Sequence, residues 1–226
     1  PALVEGLVSP AGPWAVAALA AMPADAIPVI APALRAKVPA VRARAAEALG
    51  RHGEAALPAL FEAFRSGDTP VRQAAATALV AVGDPAVDEL LDNLSSTDPA
   101  LRLATAEVLG EIAARRSLPA LEKLLDDPDD ACRATAAVAI ARHGSSAVPT
   151  VLSALRSTRK PARMAAIEAA VGIGGAAVPD LRELAAARSP AGEAAKEALR
   201  RIATPAALFH LSGTGSLADV HDAKAQ

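Results

Sequence analysis

The sequence predicts an all-α chain wound as a solenoid of about seven two-helix repeats, and three observations lead there. Segments related to Val41-Arg42-Ala43-Arg44-Ala45-Ala46-Glu47-Ala48-Leu49 recur from Val71, Leu101, Cys132, Ala162 and Ala191, with a weaker copy from Ala11. The starts differ by 30, 30, 30, 31, 30 and 29 residues, a near-constant period that defines one quasi-one-dimensional array. Within each period the apolar residues fall at helical spacing, and glycine and proline stand where helices end and begin.

The first helix of a unit carries apolar residues at its start and at +4, +8 and +11, as in Val71, Ala75, Leu79 and Val82, which is one helical face. Glycine follows at +12 in four units, Gly53, Gly83, Gly144 and Gly174, where a left-handed residue ends a helix. The second helix repeats apolar residues at intervals of three and four, as in Leu57, Leu60, Phe64 and in Val148, Val151, Leu155. At least half of the 18 prolines take two phases of the repeat. Pro28, Pro58, Pro119, Pro149 and Pro179 open second helices, and Pro70, Pro99, Pro161 and Pro190 open first helices, several behind a capping residue, as in Thr69-Pro70, Asp98-Pro99 and Ser189-Pro190. Alanine at +4, +5 and +7 lets neighbouring helices approach at the short end of about 8–10 Å. The repeat array is expected over residues 1–203, and 204–226 as an incomplete last helix and tail. In that tail Thr204-Pro205 starts a helix running from Ala206 to Leu211, a linker follows from Ser212 to Ser216, and Leu217 to Gln226 is a short helix or a disordered end.

Composition excludes several classes. The chain has 226 residues, 52% hydrophobic but only 2% aromatic, with no tyrosine, so the core is built from alanine, leucine and valine. Mean hydropathy is +0.28, yet no run of about 18 apolar residues is free of charge and proline. The nearest stretch, Trp14 to Leu34, contains Asp25 and three prolines and has no basic flank, so neither a membrane span nor a signal peptide is expected, and a cytoplasmic location follows as the expectation. The chain begins at proline, as a processed or excised polypeptide would. One cysteine excludes an intramolecular disulfide framework and a cysteine-rich metal site.

The recurring Val-Arg-x-x-Ala-Ala-x-Ala-Leu-Gly of residues 41–50, with second helices opening Ala147-Val148-Pro149 and Ala177-Val178-Pro179, resembles the HEAT repeats of the short bacterial class named after the PBS lyases. The likeness covers residues 11–203 in seven copies. It implies a right-handed superhelix of the HEAT and armadillo kind, with one row of helices convex and the other concave, and it does not imply one function.

An arginine stands at +1 in five consecutive units, Arg42, Arg72, Arg102, Arg133 and Arg163, and aspartates precede three of them at Asp68, Asp98 and Asp129. These residues are read as a structural ladder, each planar guanidinium pairing with carboxylates and loop carbonyls between units; a basic stripe for an anion is the other reading. His52 and His143 take the +11 position at helix ends, too far apart to share a ligand, and one of them could titrate near neutral pH. Cys132 lies in an apolar column and reads as a buried small side chain. Deoxyhypusine hydroxylases share this repeat but carry His-Glu pairs directly after the repeat arginine; here those positions are Ala43-Arg44, Gln73-Ala74, Leu103-Ala104, Ala134-Thr135 and Met164-Ala165, which cannot hold a di-iron centre. HEAT-like DNA glycosylases use a basic groove with aromatic residues, whereas this chain has a pI near 6.1 and one tryptophan. Bilin lyases share the repeat without a motif that carries over. Gly172-Ile173-Gly174-Gly175 and Gly213-Thr214-Gly215-Ser216 lack the strand and lysine of a nucleotide-binding loop.

No catalytic, cofactor or metal residues are assigned. The function expected is a non-catalytic scaffold that binds another protein through the concave row of second helices, at Ala59, Glu62, Ala63, Glu89, Asp92, Asn93, Lys123, Thr150, Ser153, Asp180 and Glu183. The alternatives are a subunit of a bilin or chromophore lyase and, less favoured, a nucleic-acid-binding protein. Charge is segregated: 12 acids against 4 bases from Asp84 to Asp130, then 11 bases against 5 acids from residue 131 to Arg201. Such a gradient steers a complementary partner or promotes head-to-tail contact with another copy. Trp14 either caps the open end of the first unit or anchors a partner.

Overall fold

The computed structural model describes residues 12–203. Ala11, where the first repeat is expected to start, and the expected last helix, linker and tail from Thr204 onward lie outside them. Among the described residues every regular element is helical. The first helices are α1 (Gly12–Ala20), α3 (Pro39–Arg51), α5 (Thr69–Val82), α7 (Pro99–Ile112), α9 (Asp130–Arg142), α11 (Lys160–Ile173) and α13 (Pro190–Ile202). The second helices are α2 (Ile27–Ile30, flanked by 3-10 turns), α4 (Leu57–Phe64), α6 (Val87–Asn93), α8 (Leu118–Leu124), α10 (Val148–Leu155) and α12 (Val178–Ala185).

Local chemistry sets the boundaries. Asp68, Asp98, Asp129 and Ser189 cap α5, α7, α9 and α13, accepting from Val71 N (3.4 Å), Ala100 N (2.9 Å), Cys132 N (2.9 Å) and Gly192 N (3.1 Å). The first helices end where the chain turns left-handed, with φ of 61°, 76°, 57° and 69° at Gly53, Gly83, Gly144 and Gly174. The fourth unit lacks that glycine, and Ala113 is forced to φ 53° in the same place. A Cβ in this region costs about 1 kcal/mol, so Ala113→Gly is expected to raise stability by about that amount, read as a rise in Tm of a few degrees. An unchanged or lower Tm would mean that Ala113 is not strained there.

Packing follows from the short connections. Each second helix lies against the first helix of the following unit, as α4 does on α5 and α12 on α13, and the first helices also stack on one another along the array. The tight hairpin therefore runs from a second helix into the next first helix. The +4 position is fully buried in six units: Ala45, Ala75, Thr105, Ala136, Ala166 and Ala195. Close stacking goes further than alanine, because Gly110 and Gly172 both face α9. A Cβ on Gly110 would lie 2.7 Å from Ala139 Cα, and one on Gly172 would lie 2.6 Å from Ala141 Cβ. Phe61 and Phe64 are buried with their rings edge to face, centroids 6.5 Å apart.

Residues Lys160–Ala185 are long and apolar enough, by length and composition, to cross a membrane, although the sequence alone suggests no span there. In the fold they are α11 and α12, separated by the left-handed Gly174, and half of the apolar window is buried against neighbouring helices. Their hydropathy is that of a solenoid core.

Candidate partner-binding surface

The arginines at +1 do one recurring job. Nη1 of Arg42, Arg102, Arg133 and Arg163 donates to the carbonyls six and five residues earlier: 2.8 and 3.0 Å for Arg42, 2.9 and 3.3 Å for Arg102, 2.6 and 3.1 Å for Arg133, 2.8 and 2.9 Å for Arg163. These carbonyls follow a second helix, so the guanidinium closes the hairpin onto the next first helix and satisfies acceptors the helix end leaves open. Arg72 departs from the pattern, donating from Nε to Phe64 O (3.2 Å) and from Nη2 to Asp98 (3.0 Å).

The carboxylates sort differently from expectation. Asp98 pairs with Arg72, but the hydrogen bonds of Asp68 and Asp129 go to the N–H groups of the helices they cap. The buried ladder carboxylate is Asp127, which receives Nε and Nη2 of Arg102, both at 2.8 Å. Its position in the repeat explains why the sequence does not single it out. Ser66, Ser96 and Ser157 stand at this phase, and each hydroxyl accepts from the N–H two residues on. Asp127 makes the same bond to Asp129 N at 2.9 Å and adds a charge. A serine-to-aspartate change at a fixed repeat position is the one signal that could have found it. Burial alone would push Asp127 up, but the Arg102 hydrogen bond, the Asp129 N–H and the nearby Arg102 and Arg133 charges outweigh it and hold the carboxyl below its ordinary value.

The remaining chemistry-bearing residues are in the core. His143 is buried, its Nδ1 has no partner, and its Nε2 lies 3.5 Å from Ser117 Oγ. Burial pushes its pKa below the ordinary imidazole value. His52 Nε2 meets Leu19 O at 3.0 Å. Cys132 is buried, with its thiol on Pro99 O at 3.3 Å and its pKa pushed up to about 11, mainly by burial. Among the described residues no three His, Cys, Asp or Glu side chains stand close enough to hold a metal ion.

The candidate binding residues fall into three files on the second helices. Glu62, Asp92, Lys123, Ser153 and Glu183 occupy one equivalent position in five consecutive units, and all are exposed. Ala59, Glu89 and Thr150 are half-buried and Asp180 exposed at a second position. Ala63 and Asn93 share a third position that is buried, 0% and 7% exposed, so they offer no contact surface; this file faces the core in every unit, with Leu124, Ala154 and Leu184 beside them. Two of the acids in these files are already engaged. Arg35 reaches Glu62 at 3.0 Å, and Arg65 reaches Glu89 at 2.8 Å and Asn93 Oδ1 at 3.0 Å. A groove of about 510 Å³ separates α8 from α10, lined by Lys123 and Ser153 together with Pro119, Asp126, Ala154 and Arg156. Smaller grooves run along the first helices around Val138 and Arg142.

Pairing resolves the charge segregation. Acids of the middle block are bound to arginines: Asp84 and Asp88 to Arg116, Asp98 to Arg72, Asp127 to Arg102, Asp126 to Arg159. By contrast Lys123, Arg156, Lys160, Arg182 and Arg188, all on or beside α8, α10 and α12, have no carboxylate within ion-pair distance among the described residues. Trp14 is 81% exposed at the first unit.

Stacked helix pairs, a repeating arginine clamp and an outward file of variable side chains define an α-solenoid repeat protein. The chain belongs to the HEAT-repeat family, whose model, described as HEAT repeats, matches residues 13–79, 57–141 and 123–200. It is similar to the complex of CpcE and CpcF of phycocyanin lyase from Nostoc sp. PCC7120, with 24% identity and a TM-score of 0.47 over 64% of this chain and 98% of that one. An archaeal HEAT-like repeats protein from Thermococcus onnurineus NA1 is similar at 15% identity and a TM-score of 0.39, over 89% of this chain and 97% of that one. An engineered protein is similar at 23% identity and a TM-score of 0.40, over 90% and 68%. No curated protein matches the chain.

Proposed function

We propose that this HEAT-repeat chain is a non-catalytic scaffold that binds a partner protein along its row of second helices. The observation that carries the reading is the exposed file Glu62, Asp92, Lys123, Ser153 and Glu183: one position, five units, and a side chain of different size or charge at most steps. A solenoid presents such a file as an extended surface, and its core needs nothing from those positions. The arginines and aspartates that could suggest chemistry are engaged in clamping and capping. The test is to place a photo-crosslinking residue at Ser153 on the second-helix row and at Val138 on the first-helix row. Capture of protein partners from Ser153 with little from Val138 supports the reading. Capture from Val138 alone, or a tightly held bilin with no protein partner, sinks it.

A further inference from the structure

We propose that the second helices of units four to six dock an acidic peptide segment of the partner, seated over the groove between α8 and α10 and held by Lys123, Arg156 and Lys160. The proposal rests on the scaffold reading and names the chemistry of its partner. Its basis is the asymmetry of pairing. A cation on a solenoid surface usually finds a carboxylate one unit away, as Arg35, Arg65 and Arg116 do here. Along α8, α10 and α12 that habit stops: Lys123 and Arg156 line one groove with no carboxylate partner. The capping position before the next first helix also changes sign. Where units three, four, five and seven place Asp68, Asp98, Asp129 and Ser189, this one places Arg159, which makes no side-chain cap, is drawn onto Asp126 at 2.7 Å, and is followed by Lys160. A favourable helix cap is therefore replaced by positive charge beside the groove.

The groove suits a peptide. Pro119, Ala154 and Ala162 give it an apolar floor, and about 510 Å³ accommodates a few side chains. Carboxylates at Glu122, Asp126, Asp180 and Glu183 interleave with the cations, which would repel the continuous charge of a nucleic-acid backbone but leaves room for acids spaced along a peptide. The exposed tryptophan lies at the far end of the array, so among the described residues no exposed aromatic ring stands beside the groove to stack a base. A second copy is a poor source of the acid, because its own acidic block is largely engaged with arginines.

The test is fluorescence anisotropy of the full chain with a labelled peptide of alternating glutamate and leucine, beside a lysine–leucine counterpart and a single-stranded oligonucleotide. The acidic peptide is expected to bind, to weaken about tenfold or more in the triple variant K123E/R156E/K160E, and to weaken as salt is raised. Reversal of two other unpaired cations, K37E/R115E, is expected to leave binding within about twofold. Circular dichroism of the triple variant keeps loss of fold apart from loss of binding. The proposal is overturned if the acidic peptide does not bind, if the triple variant binds it equally, if the oligonucleotide binds more tightly, or if the chain self-associates through these residues instead. Failure here with Ser153 still capturing proteins removes only the partner chemistry. Peptide binding that crosslinks to Val138 removes the row assignment itself.

Discussion

Replacing Arg102 with alanine is expected to destabilise the array by about 3–5 kcal/mol, the range for removing one member of a buried pair. Asp127 is 6% exposed at its side chain, and Arg102 supplies both of its guanidinium bonds. Without them a carboxylate is stranded between units four and five, and two loop carbonyls, Ser96 O and Thr97 O, lose their donor. The double variant R102M/D127S separates these effects. Serine restores the side chain that other units use for the same turn and strands no charge, so the double variant is expected to recover at least half of the lost stability. Recovery below that would mean that the carbonyl clamp matters more than the ion pair. Acid titration gives the sign. The Asp127 carboxyl titrates lower in the fold than in the unfolded chain, so its contribution is present above the unfolded value of about 3.9 and is lost as pH falls through the folded value. The wild type should therefore lose Tm more steeply than R102M/D127S below about pH 4.

Gly110→Leu is expected to cost about 3 kcal/mol, and the sign of the smaller change Gly110→Ala is diagnostic. In an ordinary exposed helix, glycine to alanine stabilises by about 1 kcal/mol. Here the new Cβ meets the main chain of Ala139 at 2.7 Å and its Cβ at 2.8 Å, so α7 and α9 must separate and Tm should fall. Adding Ala139→Gly removes the overlap between the two methyl groups but leaves the clash with the α9 backbone, and a partial rescue follows. A rise in Tm for Gly110→Ala would show that the first helices do not stack this closely.

The helical repeat was legible because period, glycine and proline are local signals. Val71, Leu79 and Gly83 announce a helix and its end without knowledge of a neighbour. The arginine ladder was legible for the same reason, since its carbonyl partners lie five and six residues away. What was not legible depended on distance across units. Asp127 and Asp129 both precede the fifth unit's first helix, and only the placement of Arg102, 25 residues earlier in the chain, tells which is the ion-pair partner and which the cap. Ala63 and Asn93 fit a helix surface by spacing, but the rotation of α4 and α6 turns them inward. The acidic block suggested one pole of a dipole; with most of its acids engaged by arginines, the cations without an ion pair on or beside α8, α10 and α12 outnumber the acids without one there.

Hydrogen–deuterium exchange of the full chain with and without the glutamate–leucine peptide reads where along the array the peptide docks. Added protection is expected in α8, α10, α12 and the loop through Arg159 and Lys160, with the first helices of units two and three unchanged. Protection confined to the first-helix row around Val138 and Arg142, or spread evenly along the array, would contradict it.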